Sequence, residues 1–370
     1  MILKLSDNKF NSTIPSSLGS LVLLQSLHLR NNHLSGELPL SLRNCTELIT
    51  LDLGGNMLRG RLPAWIGTRL LNLQILSLRW NKFQGRIPEQ LCALSALQLL
   101  DVAHNNLSGY IPKCVCNFSS MVGGDDYRGF LYTVNGSTSF FKEDALLVMK
   151  GQEMEYIENL VYVNSIDLSG NFLSGEIPTE ITSLAKLESL NLSNNLLTGE
   201  IPHGMGKMGA LESVDFSMNK LSGEIPPSMS NLSFLSHLNL SYNKLRGRIP
   251  LGTQLQSFDA SSYVGNSLCG PPLTPNCSRD VVTPTAENKN RNEDDDNVMS
   301  WFYLGMGVGF AIGFWGVCGG LFFNRTWRHN YFRFLDRMKD SIYVKTSETT
   351  FKISESLKGI IFCKVQNIIA

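Results

Sequence analysis

An asparagine returns at a nearly constant interval along most of this chain: Asn8, Asn32, Asn56, Asn81 and Asn105, then Asn171, Asn195, Asn219 and Asn243. The spacing is 24 or 25 residues except between Asn105 and Asn171, where it is 66. A segment of 24 residues cannot enclose a core of its own, so copies of this length must stack, each burying its apolar side against the next. In "LESLNLSNN", Leu187, Leu190 and Leu192 point inward while Ser189, Asn191 and Ser193 alternate outward, the period-two pattern of a half-buried strand. The turn after each strand is then buried. Its backbone groups need partners, and an inward asparagine with a carbonyl and an NH2 supplies them across neighbouring coils. Four residues after every such asparagine but the first stands a glycine, from Gly36 to Gly247, with Ser12 in its place in the first copy. A proline such as Pro39 or Pro202 follows three residues later and fixes φ where the chain turns away.

The form L-x-x-L-x-L-x-x-N-x-L followed by L-x-G-x-[IL]-P resembles the plant-specific class of extracellular leucine-rich repeats. That resemblance implies an α/β-type solenoid, a right-handed superhelix with a parallel β-sheet on its concave face. We divide the chain into repeats over residues 1–112, an inserted island over 113–162, four last repeats over 163–250 and a C-terminal cap over 251–277. An acidic stalk follows over 278–297, a transmembrane helix over 298–323 and a basic tail over 324–370.

With 32 basic and 32 acidic side chains the net charge is zero, and 43% of residues are hydrophobic. This excludes a disordered chain and one that coats nucleic acid. Cys269 and Cys277 lie in "NSLCGPPLTPNC", which resembles the family's C-terminal cap, and the resemblance implies that they are paired. Cys92 and Cys116 each lie four residues after a proline, equivalent places on successive coils, and are expected within disulfide reach, with Cys114 as the competing partner. Cys45 reads as a small buried apolar residue. Disulfides require an oxidising compartment, and N-x-[ST] sequons at Asn11, Asn44, Asn106, Asn117, Asn135, Asn191, Asn231, Asn239 and Asn276 agree with a glycosylated extracellular face.

From Asn297 to Asn324 there is no charged residue, and "SWFYLGMGVGFAIGFWGVCGGLFF" extends about 36 Å as a helix against roughly 30 Å of hydrocarbon. Arg325, Arg328, Arg333, Arg337 and Lys339 follow it and "NEDDD" precedes it, which places the repeats outside and the C-terminus in the cytoplasm of a single-pass plasma-membrane protein. Gly305, Gly309 and Gly313 recur every four residues on one helix face, a spacing at which two helix backbones approach closely.

The tail is too short for a kinase domain. The chain carries no Gly-rich phosphate loop, no H-E-x-x-H, no G-x-S-x-G and no Cys/His cluster at zinc spacing. Its six histidines are scattered singly and read as surface residues. We therefore expect no enzyme, no metal and no cofactor. The order of repeats, island, four repeats, cap, acidic stalk, glycine-rich helix and basic tail resembles the plant receptor-like proteins, leucine-rich-repeat receptors without a kinase domain. The resemblance implies perception of an extracellular ligand in defence or development, association with an adaptor receptor kinase and recruitment of a co-receptor kinase. It assigns the adaptor contact to Gly305, Gly309 and Gly313 and to the acidic residues Glu293, Asp294, Asp295 and Asp296.

The 42 residues in excess of one period between Asn105 and Asn171 are rich in aromatics. Within them Ala145 to Met149 reads as a short strand and Lys150-Gly151 as its turn. An aromatic nine residues before Lys-Gly resembles the family's island motif; the family's tyrosine is Phe141 here, while Lys150, Gly151 and Tyr156 match. Lys150 and Tyr156 either fasten the island to the solenoid or touch ligand. The other ligand-binding candidates are outward residues of the strand face: His28, Arg30, Arg79, Trp80 and His104. The outward positions after the island are monotonous, which suits a shared partner such as a co-receptor.

Met1 falls inside a coil, with no leader and no N-terminal capping cysteines before it, so the chain is expected to be a truncated copy of a longer receptor. Two alternatives stand beside the receptor reading: a non-signalling decoy, and an inhibitor-type repeat protein that binds a wall-degrading enzyme. The closing "GIIFCKVQNIIA" has no physical account.

Overall fold

The computed structural model describes residues 1–123, 131–134, 137–140, 143–157, 159–273 and 277, with residues 131–140 given by their backbone alone. The stalk, the apolar segment, the tail, Phe141, Asn135 and Asn276 lie outside the described residues. Among the described residues no helix is long and apolar enough to cross a membrane.

The repeats wind into coils whose outward-alternating segments pair in parallel. Nine strands, from Ile2–Lys4 through Ser26–His28 and Leu99–Asp101 to His237–Asn239, form one sheet in which every copy pairs with the next. The order passes straight across the island, because Ser165, Ile166 and Asp167 register against Leu99, Leu100 and Asp101. Beneath this sheet the coil leucines, among them Leu27, Leu51, Leu76, Leu100, Leu190 and Leu238, merge into one buried cluster running from Ile14 to Leu268.

The asparagines do what the spacing predicts. Asn56 Nδ2 donates to the carbonyls of Leu29, Leu53 and Gly54 at 3.0, 3.0 and 3.1 Å, and its Oδ1 accepts from Leu34 N at 3.0 Å. Asn171 repeats this across the island, reaching Val102 O at 3.0 Å and accepting from Leu107 N at 3.0 Å. A further rung was missed by the sequence reading. Asn266, in the cap, accepts from Leu245 N at 2.9 Å and donates to Leu240 O at 2.9 Å. The signal was present, since "GNSLCGPP" carries the same Asn, Leu and Gly in the same order.

The L-x-G segments build a second row of short parallel strands, such as His33–Gly36 and Phe172–Glu176, beside the first sheet. Each proline that follows, with φ between −56° and −72°, caps one short 3-10 turn on the far side of the coil. The 25-residue coil differs. Its extra residue is absorbed as an α-helical turn, Trp65–Arg69, in which Leu70 N donates to Ile66 O at 3.1 Å.

The far side also corrects one expectation. Cys92 is bonded to Cys114, at a Cα separation of 5.7 Å, and not to Cys116, which is a half-buried free thiol. Leu91 and Val115 are the inward residues of their turns, so Cys92 follows its inward residue and Cys114 precedes its own. Gly19 meets Ser41 and Gly206 meets Ser228 in the same sense, at distances that leave no room for a Cβ. The turns thus face one another two residues short of a full period. Equivalent positions such as 92 and 116 are not the touching ones. In the cap, Cys269 and Cys277 are bonded at a Cα separation of 5.1 Å, and Cys45 is fully buried.

Candidate functional site

The island returns as a hairpin, Ala145–Met149 paired antiparallel with Gln152–Tyr156. Met149 opposes Gln152, so Lys150 and Gly151 form a two-residue turn, and their φ values of 54° and 73° are those of a type I′ connection. Gly151 is required twice, by that φ and by the His237 ring, whose Cε1 would lie 3.0 Å from a Cβ.

This hairpin lies along the concave face, its strands against the first five coils and its Lys150-Gly151 tip against Glu212, Ser213 and His237 of the later ones. Cross-strand partners share a face, so Ala145, Leu147 and Met149 lie with Tyr156 on one side and Leu146 and Val148 with Glu155 and Glu153 on the other. The first side packs on Ile49, Ile75 and Leu99, outward positions of the strand region, together with Leu160 and Val163. The second side turns its carboxylates to the basic row. Arg30 Nη2 meets Glu155 Oε1 at 2.5 Å and Arg79 Nη2 meets Glu153 Oε1 at 3.3 Å. At the base of the hairpin Lys4 pairs with Asp144, and Arg30 Nη1 lies 3.4 Å from Asp144 Oδ2. At its tip Lys150 Nζ reaches Glu212 Oε2 at 2.9 Å, and its backbone N–H donates to Ser213 Oγ at 3.2 Å.

The expectation that His28 is a surface residue is overturned. It is 1% exposed, with Nε2 at 2.6 Å from Glu143 Oε2, and Glu143 is itself fully buried. Burial alone would lower the imidazole pKa, but Glu143 and Asp52, whose Oδ2 is 3.7 Å from Nδ1, outweigh it and raise His28 to about 9. The two carboxylates therefore hold the imidazole toward its charged form at neutral pH. Arg79, read from sequence as outward and exposed, is 4% exposed because the hairpin covers it. Arg30 is half-buried for the same reason. Trp80 alone of the strand-face candidates is open, at 54% exposure. Lys150 is exposed but held to Glu212, and Tyr156 packs against the apolar cluster, so both fasten the hairpin.

Sequence reasoning missed the groups that bind these candidates: Glu143, Asp144, Glu153 and Glu155 on the hairpin, and Asp52, Asp101 and Asp167 on the sheet. The available signal was charge complementarity between an acidic hairpin and a basic strand row. Asp101 and Asp167 are register partners on adjacent strands, both buried. Burial first, and then the Asp167 carboxylate, push Asp101 up to about 8 against the pull of Arg79, so the two carboxylates do not both ionise at neutral pH. Asp167 is raised as well, chiefly by burial.

Beside the hairpin lies a cavity of about 250 Å³ bordered by Arg30, Asp52, Arg79, Trp80, Leu146 and Glu153. Trp80 and His104 stack at its edge, ring centroids 3.8 Å apart and planes within 8°. Burial lowers the His104 pKa, so a neutral imidazole faces the indole. Both residues hold φ of 51°. The same place in other coils is taken by Asp7, Asn31, Gly55, Gly170 or Asn194, types that accept a left-handed backbone, and by Met218 and Tyr242, which like Trp80 carry a bulky side chain there at a cost of about 1–2 kcal/mol. A larger hollow of about 670 Å³, lined by Glu89, Tyr110, Lys113, Glu176 and Glu180, opens between the outer turns that flank the island. It is remote from the strand face.

Of the sequons, Asn11, Asn44, Asn106, Asn117 and Asn231 are exposed. Asn191 and Asn239 are half-buried, and their Nδ2 atoms donate to Asp167 and Asp215 at 3.3 and 3.4 Å.

The Leucine Rich Repeat family profile matches residues 1–21, 23–45, 47–68, 72–94, 96–118, 162–184, 186–208, 210–232 and 234–258. Over 297 residues the chain is 57% identical to Receptor-like protein EIX2 of Solanum lycopersicum, a span of 78% of this chain and 29% of that protein. Over 306 residues it is 40% identical to Receptor-like protein 13 of Arabidopsis thaliana, with 75% and 29% covered. The chain thus spans less than a third of the length of these relatives. Among solved structures it resembles the Arabidopsis receptor kinase HAESA, crystallised with the peptide hormone IDA and the co-receptor SERK1, at 27% identity and a TM-score of 0.58 over 72% of this chain and 42% of that one. It resembles a plant ice-binding protein equally well, at 28% identity and 0.57 over 75% of both chains, so the coil alone does not choose a function. Because the profile accounts for each coil from Met1 to Phe258 and receptor-like proteins share up to 57% of its residues over most of its length, the chain belongs to the leucine-rich-repeat family as a plant receptor-like protein.

Proposed function

We propose that this chain is part of a cell-surface receptor that binds an extracellular ligand on its upstream concave face and signals through associated kinases. The observation that supports this most is the hairpin clamped into that face. It joins varied basic, aromatic and acidic side chains into one built surface, which a purely structural coil does not need. The family resemblance supplies the rest of the reading. The segment 298–323 anchors the chain in the plasma membrane with repeats outside, Gly305, Gly309 and Gly313 pack against an adaptor receptor kinase with help from Glu293, Asp294, Asp295 and Asp296, and the last four repeats meet a co-receptor kinase. Asn11, Asn44, Asn106, Asn117 and Asn231 carry glycans; the committed amides of Asn191 and Asn239 argue against modification there.

The test is affinity capture of the full chain from plant membranes, with receptor kinases identified by mass spectrometry. A kinase recovered with the native chain and lost when Gly305, Gly309 and Gly313 are changed to Leu supports the reading. Equal recovery of none from both samples would sink it and leave the decoy alternative.

A further inference from the structure

We propose that the cavity beside Trp80 is a subsite for one neutral pyranose ring of an oligosaccharide, with the open indole face as its stacking platform. The inference rests on the receptor reading and names the ligand chemistry of its upstream face.

Three observations converge on it. The first is the platform. Trp80 is 54% exposed at φ 51°, as Met218 and Tyr242 are exposed at φ 54° in later coils, but of the three it is the one that borders the cavity, and one of its faces is taken by His104 at 3.8 Å. The preceding coil carries Gly55 at the same place, and Gly54 and Gly55 both border the cavity, so the nearest side chain on that side is the small polar Asn31, whose Oδ1 lies over Gly55. A flat, half-open aromatic beside a polar hollow suits a ligand with one apolar face of C–H groups and a rim of hydroxyls.

The second is an unmet donor. Arg79 borders the cavity and is more than nine-tenths buried, and its Nε has no hydrogen-bond partner among the described residues. A buried guanidinium N–H without an acceptor is costly; Nε is closed to solvent, so a ligand oxygen satisfies it only when the Arg79 side chain shifts toward the cavity it borders.

The third is charge balance. The cavity is bordered by two guanidinium groups, Arg30 and Arg79, and two carboxylates, Asp52 and Glu153. Each guanidinium is already engaged, Arg30 with Glu155 and Arg79 with Glu153 and Asp101. A charged ligand would have to displace one of these pairs, whereas hydroxyls donate to the carboxylates and accept from the guanidinium groups without disturbing them. The volume of about 250 Å³ holds one ring, and a longer chain would leave it along the Trp80 and His104 edge.

The experiment uses the full chain purified in a sugar-free detergent and calorimetric titration with neutral β-1,4-linked tetramers of glucose, xylose and N-acetylglucosamine. A released neutral N-glycan forms a second arm, because a pyranose could come from free wall fragments or from a glycoprotein, and tetragalacturonate is the charged control. Binding of a neutral glycan in either arm, weakened at least tenfold by Trp80→Gly and less than threefold by Trp80→Phe, supports the proposal and identifies the source. Trp80→Gly puts at this left-handed position the residue that Gly55 and Gly170 already place there, so its coil folds without added strain. No binding of any neutral glycan, binding indifferent to Trp80→Gly, or preference for tetragalacturonate overturns it. Kinase capture is scored on the same preparations. Kinase recovery without glycan binding removes the saccharide subsite alone, and glycan binding without kinase recovery removes the receptor reading alone.

Discussion

The five coils before the island and the four after it share one framework, yet their concave rows satisfy their polar groups in opposite ways. Downstream, the row serves itself. Asn191 donates to Asp167 and Asn239 to Asp215, while Ser193, Ser217 and Ser241 donate their hydroxyls to the Asn or Asp two residues earlier at 2.6 to 2.8 Å. Upstream, His28, Arg30 and Arg79 depend on carboxylates that arrive with the hairpin from more than 70 residues away. A self-satisfied row is a finished surface whether or not an insert docks on it. A row completed by an insert is only as stable as the insert's docking, and it is there that a small change in charge alters what the face presents.

The largest expected effect comes from breaking the bridge between the two regions. Asn171→Ala removes the acceptor of Leu107 N and the donor to Val102, Leu168 and Ser169 carbonyls, all buried, and should cost on the order of 3 to 5 kcal/mol. Because each coil holds only its neighbours, the loss should divide unfolding into two steps, with hydrogen exchange in residues 1–112 and 163–250 no longer cooperative. A single unchanged transition would show that the apolar core alone couples the halves. Next is Glu143→Ala, which leaves His28 buried without its nearest carboxylate. Loss of that pair should weaken docking of the hairpin by about 3 kcal/mol at pH 6. Exchange should rise in Ala145–Met149 and stay unchanged in Ser267–Cys269.

Rising pH should act mainly on the same side, with Asp167 carrying part of the effect into the first downstream strand. His28 and Asp101 both have native pKa values above their ordinary ones, so each holds its contribution at low pH and loses it as pH rises: His28 between 6.5 and about 9, Asp101 between 3.8 and about 8. Asp144 runs the other way. Despite burial, its bond to Lys4 and the charges of His28 and Arg30 lower its pKa, so its contribution is lost only below the ordinary carboxylate range. Hairpin docking should therefore be firmest at about pH 4, weaken from there as Asp101 ionises, and weaken more steeply above pH 6.5 as His28 loses its proton. Exchange rates corrected for intrinsic chemistry should show the upstream strands loosening more than the downstream ones. Equal loosening in both would count against His28 and Asp101 as the titrating groups.

What the sequence made legible was whatever repeats or is local. The asparagine rungs, the leucine core and the turn prolines follow from periodicity, and the hairpin strand with its Lys150-Gly151 turn follows from alternation over a few residues. The Cys92 partner was misread because periodicity gives equivalent positions and contact is made between staggered ones. The docking of the hairpin was invisible for a different reason. Lys4 and Asp144 are separated by 140 residues, and an ion pair has no period to betray it. His28 and Arg79 looked like open reading residues because alternation reports which way a side chain leaves the sheet. It does not report what then covers it.

The smallest effect sharpens the contrast from the downstream side. Ser217 Oγ donates to Asp215 Oδ1 at 2.6 Å, and the Ser217 backbone N–H donates to the same oxygen at 2.9 Å. Ser217→Ala removes one of two donors and leaves Asp215 accepting from Ser217 N–H and from Asn239, so no group is orphaned and the cost should be about 1 kcal/mol or less. Redundancy is what a self-satisfied row provides, and Arg79, with Nε already unmet, has none to spare. Arg79→Gln should therefore cost more than Ser217→Ala in paired thermal melts, and should raise exchange in Gln152–Tyr156, which Ser217→Ala leaves unchanged. If the two substitutions proved equal and neither moved the hairpin, the hairpin would be held by its apolar side on Ile75 and Leu99, and the ion pairs of the upstream face would be incidental to its docking.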